Sequence, residues 1–407
     1  YKCYIPEVLR KIKVTAQEYI PHGAFSNMSM VTEIELNQQL SIIGKGIFEG
    51  CTSLEKVTLP FINYDRTSQE AKYSFALMFG TTSLEKTYSV GYESLKYYLP
   101  TSLKTVVLNL SYDIPAYAFS NCKEITTIDL ATNTTNIGEY AFRNCTGLTS
   151  FNVPTEVTTI SQGTFYGCTN LETITFKSPC TICEEAFTKC TGLKSIYTAG
   201  GMYFKENSIT DVNATNLYID GPSSYNVFNN GSESINESIF MKVENIYVKD
   251  ENDNYIIPTE LTVEQGSLME NQLYGLKIKK LIITDNCYDI ALGGLAGIRN
   301  LESLTIPMVG LDYLYDTTPD NTEFRTYFGI IFGSTPYENS LPDYTDGVKT
   351  MAFYIPKTLK EVIVTGGEYI AEGAFRGISS ITNVILPSTI VAVGKDAFTG
   401  TSFLYNA

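Results

Sequence analysis

A phenylalanine that returns every 22 or 23 residues constrains this chain more than any other feature. Phe25 and Phe48, then Phe119, Phe142, Phe165 and Phe187, then Phe375 and Phe398 are separated by 23, 23, 23, 22 and 23 residues within each run. Five residues before each stands an aliphatic: Ile20, Ile43, Ile114, Ile137, Ile160, Ile182, Ile370 or Val393. Apolar residues follow six, nine and eleven positions later, as in Leu148, Phe151 and Val153 after Phe142, or Ile381, Val384 and Leu386 after Phe375. A weaker unit anchored on Leu295 leads to Leu301, Leu304 and Ile306, and Leu273 and Phe240 extend the series to about a dozen turns.

The positions nine and eleven after the anchor alternate as in a β-strand, and the stretch around the phenylalanine is short and ends at Gly, Asn or Lys before Cys. Each unit therefore reads as a short strand, a turn often marked by proline, a second extended piece and a single helical turn holding Ala and Phe. No unit of this size buries its apolar face alone, and stacking neighbours closes the core. The expected fold is a repeat solenoid of stacked short parallel β-strands, β-dominated with little helix.

A longer unit is nested in the array. Segments beginning at Tyr4, Tyr98 and Tyr354 align without gaps, and the second and third follow irregular stretches containing MFGTTS and IFGSTP. Residues 61–97 and 308–353 are thus expected to be equivalent insertions. They divide the chain into an array over 1–200, a degenerate region rich in Asn, Ser, Gly and Tyr over 201–262, and a second array over 263–407. Both ends fall within a repeat, so a fragment of a longer array, or a chain trimmed of a signal and an anchor, is expected.

The template in IGEYAFRNCTGLTSFNVP, Ile137 to Pro154, resembles the BspA-like leucine-rich repeats. That resemblance implies a right-handed leucine-rich-repeat solenoid, exported to a bacterial cell surface. It further implies binding or adhesion to a host or neighbouring-cell protein or glycan.

Composition narrows the chemistry in the same direction. The net charge of −15 repels nucleic acid and anionic lipid, and no apolar run is long enough to insert in a membrane. One histidine leaves little room for imidazole catalysis or zinc. His22 is replaced by Ala116 and Glu372 in the other long units, so it reads as a surface turn residue. Five of the nine cysteines, Cys51, Cys122, Cys145, Cys168 and Cys190, lie three residues after an anchor and are expected to form a file of buried thiols. Cys180 and Cys183 form a lone CxxC with no second pair. Asp250 to Leu261 begins like a calcium loop but lacks its glycine and final glutamate, and reads as a turn before a strand. Asn144, though in a glycosylation triplet, adjoins the buried file and is a poor glycan site. No enzyme activity, cofactor or metal is expected, and the state expected is a monomer.

What remains is surface. Outward strand positions carry Thr149, Ser150 and Asn152, then Glu172, Thr173 and Thr175, then Glu302, Ser303 and Thr305. The insertions hold the candidate contact tyrosines, Tyr64, Tyr73, Tyr88 and Tyr92 in one and Tyr313, Tyr315, Tyr327, Tyr337 and Tyr344 in the other. Tyrosine offers a large rigid contact area with one hydroxyl. Packing against the solenoid is the rival role for these residues, and a spacer displaying another module is the rival function. A carbohydrate-active enzyme is the third reading.

Overall fold

The computed structural model describes residues 8–62, 74–92, 95–110, 113–199, 202–205, 207–212, 214, 216–220, 245–249, 252–264, 266–268, 270, 273, 275–309, 327–337, 339–344 and 352–402. It comprises two compact units, Tyr1–Leu217 and Tyr218–Ala407.

In the first unit, strands Lys11–Lys13, Glu33–Glu35, Lys56–Leu59, Thr105–Leu108 and Thr127–Asp129 form one parallel sheet in that order. Their inward residues stay in register: Ile12, Ile34, Val57, Val106 and Ile128 lie opposite one another. Ser150–Val153, Thr173–Phe176 and Ser195–Thr198 repeat the arrangement. The aliphatics before the anchors sit in a second set of short parallel strands, pairing Ile20 with Ile43, Ile114 with Ile137, and Ile160 with Ile182. In the second unit the main sheet runs Glu260–Val263, Lys280–Ile283, Ser303–Ile306, Glu361–Val364 and Asn383–Ile385. A β-solenoid of parallel strands is thus present in each unit, as the period requires.

The phenylalanine corner is not a helix in most turns. It is a succession of i to i+3 bonded turns, such as Ser26 N to Gly23 O at 2.9 Å and Cys145 N to Phe142 O at 3.1 Å. Left-handed residues on both sides stop it from propagating: Gly23 and Asn27 around Phe25 have φ of 62° and 63°, and Tyr140 and Asn144 around Phe142 have 54° and 56°. Gly and Asn enter this region at little cost, which accounts for their recurrence beside the anchor.

Successive corners are joined by backbone bonds. The N–H of each phenylalanine donates to the residue before the next anchor, as in Phe25 to Ile47 at 3.0 Å, Phe119 to Ala141 at 2.8 Å and Phe142 to Thr164 at 2.9 Å. The rings stack with them, 5.6 Å apart from Phe119 to Phe142 and 5.3 Å from Phe142 to Phe165 and from Phe165 to Phe187. Phe187 donates to Ser208 at 2.8 Å, so one more turn follows, with Ile209 in the phenylalanine position. Ile209 is buried. In the second unit Leu273 and Leu295 are both buried anchors, whereas Phe240 lies outside the described residues.

Residues 61–97 and 308–353 do more than interrupt the array. Lys56–Leu59 pairs directly with Thr105–Leu108, and Ser303–Ile306 with Glu361–Val364, so the main sheets pass the insertions unbroken. Each insertion carries its own corner, a 3-10 helix at Ala76–Phe79 or Phe328–Phe332. Two rings fill the corner where one suffices elsewhere. Phe79 meets Phe48 at 5.4 Å, Phe75 meets Phe119 at 4.8 Å, and the two are 5.2 Å apart. The second unit repeats this with Phe328, 5.5 Å from Phe332 and 4.9 Å from Phe375. Among the described residues each insertion also carries an antiparallel strand pair, Thr87–Tyr92 with Leu95–Pro100 or Ser340–Tyr344 with Ala352–Pro356.

The cysteine file is buried and its thiols are free. Four of the five Sγ–H groups donate to the anchor carbonyl of the preceding turn: Cys51 to Phe25 at 3.0 Å, Cys145 to Phe119 and Cys168 to Phe142 at 3.1 Å, Cys190 to Phe165 at 3.0 Å. Burial pushes the thiols up, Cys51 to about 11 and Cys190 to about 12, with Cys145 and Cys168 also well above the ordinary value.

Phe142→Ala is expected to destabilise the first unit by about 3–5 kcal/mol, read from the urea midpoint, because the cavity opens inside a ring stack. Folding favours the protonated thiols, so their contribution is intact below the unfolded thiol pKa of about 8.5 and erodes as pH rises toward the folded values. In a Cys3→Ser background, alkylation of the native protein at mildly alkaline pH should label the half-buried Cys183 before Cys122, Cys145, Cys168 and Cys190. Equal labelling of all five would contradict the buried file.

Candidate functional site

The outward strand positions are locked in register by the core beneath them. In the first unit Lys11, Glu33, Lys56, Thr105 and Thr127 form one row across the sheet. Lys11 and Lys56 both pair with Glu33, at 2.6 and 3.3 Å, and Lys13 pairs with Glu35 at 2.8 Å. Hydrogen bonds from Lys11 and then Lys56 hold the Glu33 carboxyl below its ordinary pKa. A groove of about 550 Å³ opens along this row, lined by Lys11, Thr32, Glu33, Glu55, Lys56, Ser102, Lys104 and Thr105. The Ser102 hydroxyl is anchored on the Leu54 carbonyl at 2.8 Å, and Lys104 on Glu124 at 2.6 Å. The groove therefore offers fixed charges of both signs.

Farther along the same unit the face is neutral. Ser150, Thr173 and Ser195 form one row and Asn152, Thr175 and Tyr197 the next, with Lys194 paired to Glu172 at 2.6 Å beside them. Thr149, Ser150, Asn152 and Glu172 are exposed, and Thr173 and Thr175 half-buried, as the alternation predicts. In the second unit Glu260, Lys280, Ser303, Glu361 and Asn383 align. Ser303 and Asn383 both donate to Glu361, at 2.8 and 3.0 Å. Glu302 is exposed and Thr305 half-buried, in a row that becomes aliphatic at Ile363 and Ile385.

The candidate tyrosines do not gather in one place that the structure describes. Tyr64, Tyr73, Tyr313 and Tyr315 lie outside the described residues, and Tyr92 and Tyr344 are placed by backbone alone, in hairpin strands. Tyr327 and Tyr337 are half-buried and flank the second 3-10 corner. Tyr88 turns inward with Val90, Tyr97 and Leu99, which fastens the first hairpin to the solenoid. Its hydroxyl is enclosed beside the Glu124 backbone without a hydrogen-bond partner among the described residues, and burial, followed by the neighbouring Cys122 and Cys145 thiols, raises its pKa.

Two features escape a reading of the insertions alone. Glu49 accepts the Thr82 N–H at 3.2 Å and lies across Gly80, where a Cβ would stand 2.4 Å from the carboxyl carbon. The Lys11, Glu33 and Lys56 row is visible only when strands are aligned turn by turn. Elsewhere, His22 is exposed and its Nδ1 accepts the Lys45 N–H at 2.8 Å. Cys180 points into the core and Cys183 is half-buried, both free. Asn144 donates to the Asn121 side chain at 3.0 Å. Tyr255–Ile256 and Glu260–Val263 are strands. Among the described residues no group of three or more His, Cys, Asp or Glu is arranged to hold a metal, and no helix is long and apolar enough to cross a membrane.

The pattern BspA type Leucine rich repeat region matches residues 2–111, 112–247 and 338–406, in six copies. The chain belongs to this family. Solved structures to which this BspA-type chain is similar include a leucine-rich repeat protein from Bacteroides ovatus ATCC 8483, at 16% identity over 96% of this chain and 84% of that one, with a TM-score of 0.29. A leucine rich cell surface protein from Faecalibacterium prausnitzii A2-165 matches at 15% identity over 98% and 88%, TM-score 0.25. A leucine-rich repeat protein from Eubacterium ventriosum ATCC 27560 matches at 14% over 97% and 92%, TM-score 0.23. No curated protein matches.

Tyr88→Phe should leave stability within about 1 kcal/mol of wild type or raise it, since only an enclosed unpaired hydroxyl is removed. Tyr88→Ala should cost at least about 2 kcal/mol through the cavity beneath the hairpin. Thermal or urea unfolding distinguishes the two, and equal effects would mean that the ring does not pack.

Proposed function

We propose that this chain is an exported bacterial cell-surface module that binds an extracellular protein or glycan without catalysis, as a monomer. The observation that carries the reading is the groove along the Lys11, Glu33 and Lys56 row. Its polar groups are held by ion pairs and by strand register, so little conformational entropy remains to be lost when a ligand is ordered on them. The hydroxyl rows beyond it extend the same kind of surface, suited to many weak polar contacts. Beside the second insertion's corner, the half-buried Tyr327 and Tyr337 add aromatic area.

Surface location is supported by family membership alone. A non-enzymatic role is supported by the character of the strand face, where carboxylates are paired with lysines, hydroxyls or amides rather than poised beside one another.

An array of matrix proteins and mucin-type glycans should reveal saturable binding. Lys11→Ala combined with Lys56→Ala should weaken the captured ligand by about tenfold, or about 1.4 kcal/mol, with little change in unfolding midpoint. Unchanged affinity in that variant and in a protein with both hairpins shortened would refute the site. Release of reducing ends from any glycan on the array would refute the absence of catalysis.

A further inference from the structure

The corner face of the first unit carries a second cluster that the strand-face reading does not use. Tyr117 and Tyr140 stack at 5.2 Å with their planes 20° apart. The Arg143 guanidinium lies 5.7 Å from the Tyr140 ring centre and 5.4 Å from that of Tyr166, and the Lys189 ammonium lies 5.2 Å from Tyr166. The Tyr140 hydroxyl donates to Glu185 at 2.8 Å. A Cβ on Gly163 would stand 2.1 Å from the Tyr140 ring, so that ring is seated directly on the backbone of the next turn.

The scaffold does not ask for these residues. Tyr117 and Tyr140 occupy the left-handed position two residues before the anchor, with φ of 59° and 54°, where other turns place Gly23, Gly46 or Gly373, or the polar Glu185, Asn207 or Asp396. An aromatic residue there holds strained backbone. Lys189 likewise stands, at φ 63°, where Gly50 and Gly167 stand in other turns. The tyrosines and Arg143 are half-buried and Lys189 is exposed, so the strained residues surround a site that solvent reaches at Lys189.

Charge indicates what the use is. Arg376 holds the position of Arg143 in the second unit and is paired with Asp396 at 2.8 Å. Among the described residues neither Arg143 nor Lys189 has an ion-pair partner, in a chain with 44 acidic and 29 basic side chains. Glu185 is engaged by Tyr140, and Asp211 adds to the field at Lys189 without pairing with it. Two cations without an ion-pair partner among the described residues, held against tyrosine rings, form a local site for anions. They belong to turns two apart, hence roughly 10 Å by strand spacing, whereas an extended peptide repeats side chains on one face about every 7 Å. The larger interval is of the order of a disaccharide.

We propose that this corner binds an acidic glycan, with Arg143 and Lys189 taking the anionic groups of alternate sugars and the tyrosine edges and hydroxyls lining the path between them. The site is independent of the strand-face groove.

The test is a titration, followed by calorimetry, with an oligosaccharide of alternating glucuronate and N-acetylglucosamine. Two controls accompany it: the same oligosaccharide with its carboxyls reduced to alcohols, and an oligo-glutamate peptide of equal charge. Saturable binding that weakens with salt is expected, lost with the reduced oligosaccharide. Arg143→Gln and Lys189→Ala should each weaken it about tenfold at an unchanged unfolding midpoint, and Lys11→Ala with Lys56→Ala should leave it intact. No saturable binding by the wild-type chain, equal binding of the reduced oligosaccharide, or tighter binding of the peptide overturns the proposal. Loss confined to the Lys11 and Lys56 variant would move the glycan to the strand face.

Discussion

The hydrogen bond from each anchor phenylalanine to the turn that follows is the constraint on which the rest depends. It fixes the spacing between turns at the corner, where no regular strand is available to do so. Once that spacing is set, the rings stack and the next thiol reaches the carbonyl behind it, as Cys168 reaches Phe142 at 3.1 Å. The strands on the other sides of the turn are only two to four residues long in most cases, too short to hold register unaided. They hold it because the corner does, and the outward rows inherit the same precision.

The insertions show how far this constraint can be stretched. A corner with one phenylalanine has one ring to offer both neighbours. The 3-10 helix Phe328–Phe332 has two, so Ile331 O receives the Leu295 N–H at 2.8 Å while Phe328 donates onward to Ala374 at 2.9 Å. One element thus faces backward and forward at different residues. That division leaves a hairpin free to be spliced in after the corner without breaking the sheet. Glu49 across Gly80 and the inward residues of the first hairpin then secure the added chain locally.

The turns at constant period were legible because every level of the pattern agrees in them: Phe142, Cys145, Leu148, Phe151 and Val153 all proved buried. Phe79 and Phe332 were not, since each hairpin places the following strand well beyond the usual interval and hides the anchor from a periodic search. The matched pairs in FALMF and FGIIF were the available signal. Ile209 was hidden by substitution, as an aliphatic in a place defined by an aromatic. The strand-face rows could be read from alternation, but which lysine meets which glutamate depends on register between turns. The tyrosine and arginine cluster depends on the same inter-turn distances, and sequence spacing alone does not place Arg143 between two rings.

A division of labour between the two sides of the backbone follows. Inward positions vary little, because a missing ring or thiol is felt by both neighbours through the same bonds. Outward positions are free to differ from turn to turn, and they do: charged rows at one end of the first unit, hydroxyl rows farther along, aliphatic residues in part of the second. Function in such a chain therefore shows itself where an outward residue departs from what the turn prefers. Tyr117 and Tyr140 in left-handed backbone are departures of that kind. Arg143, with no ion-pair partner among the described residues, set against its ion-paired counterpart Arg376, is another. A solenoid with a strict interior makes these departures readable, because its own repeats supply the comparison.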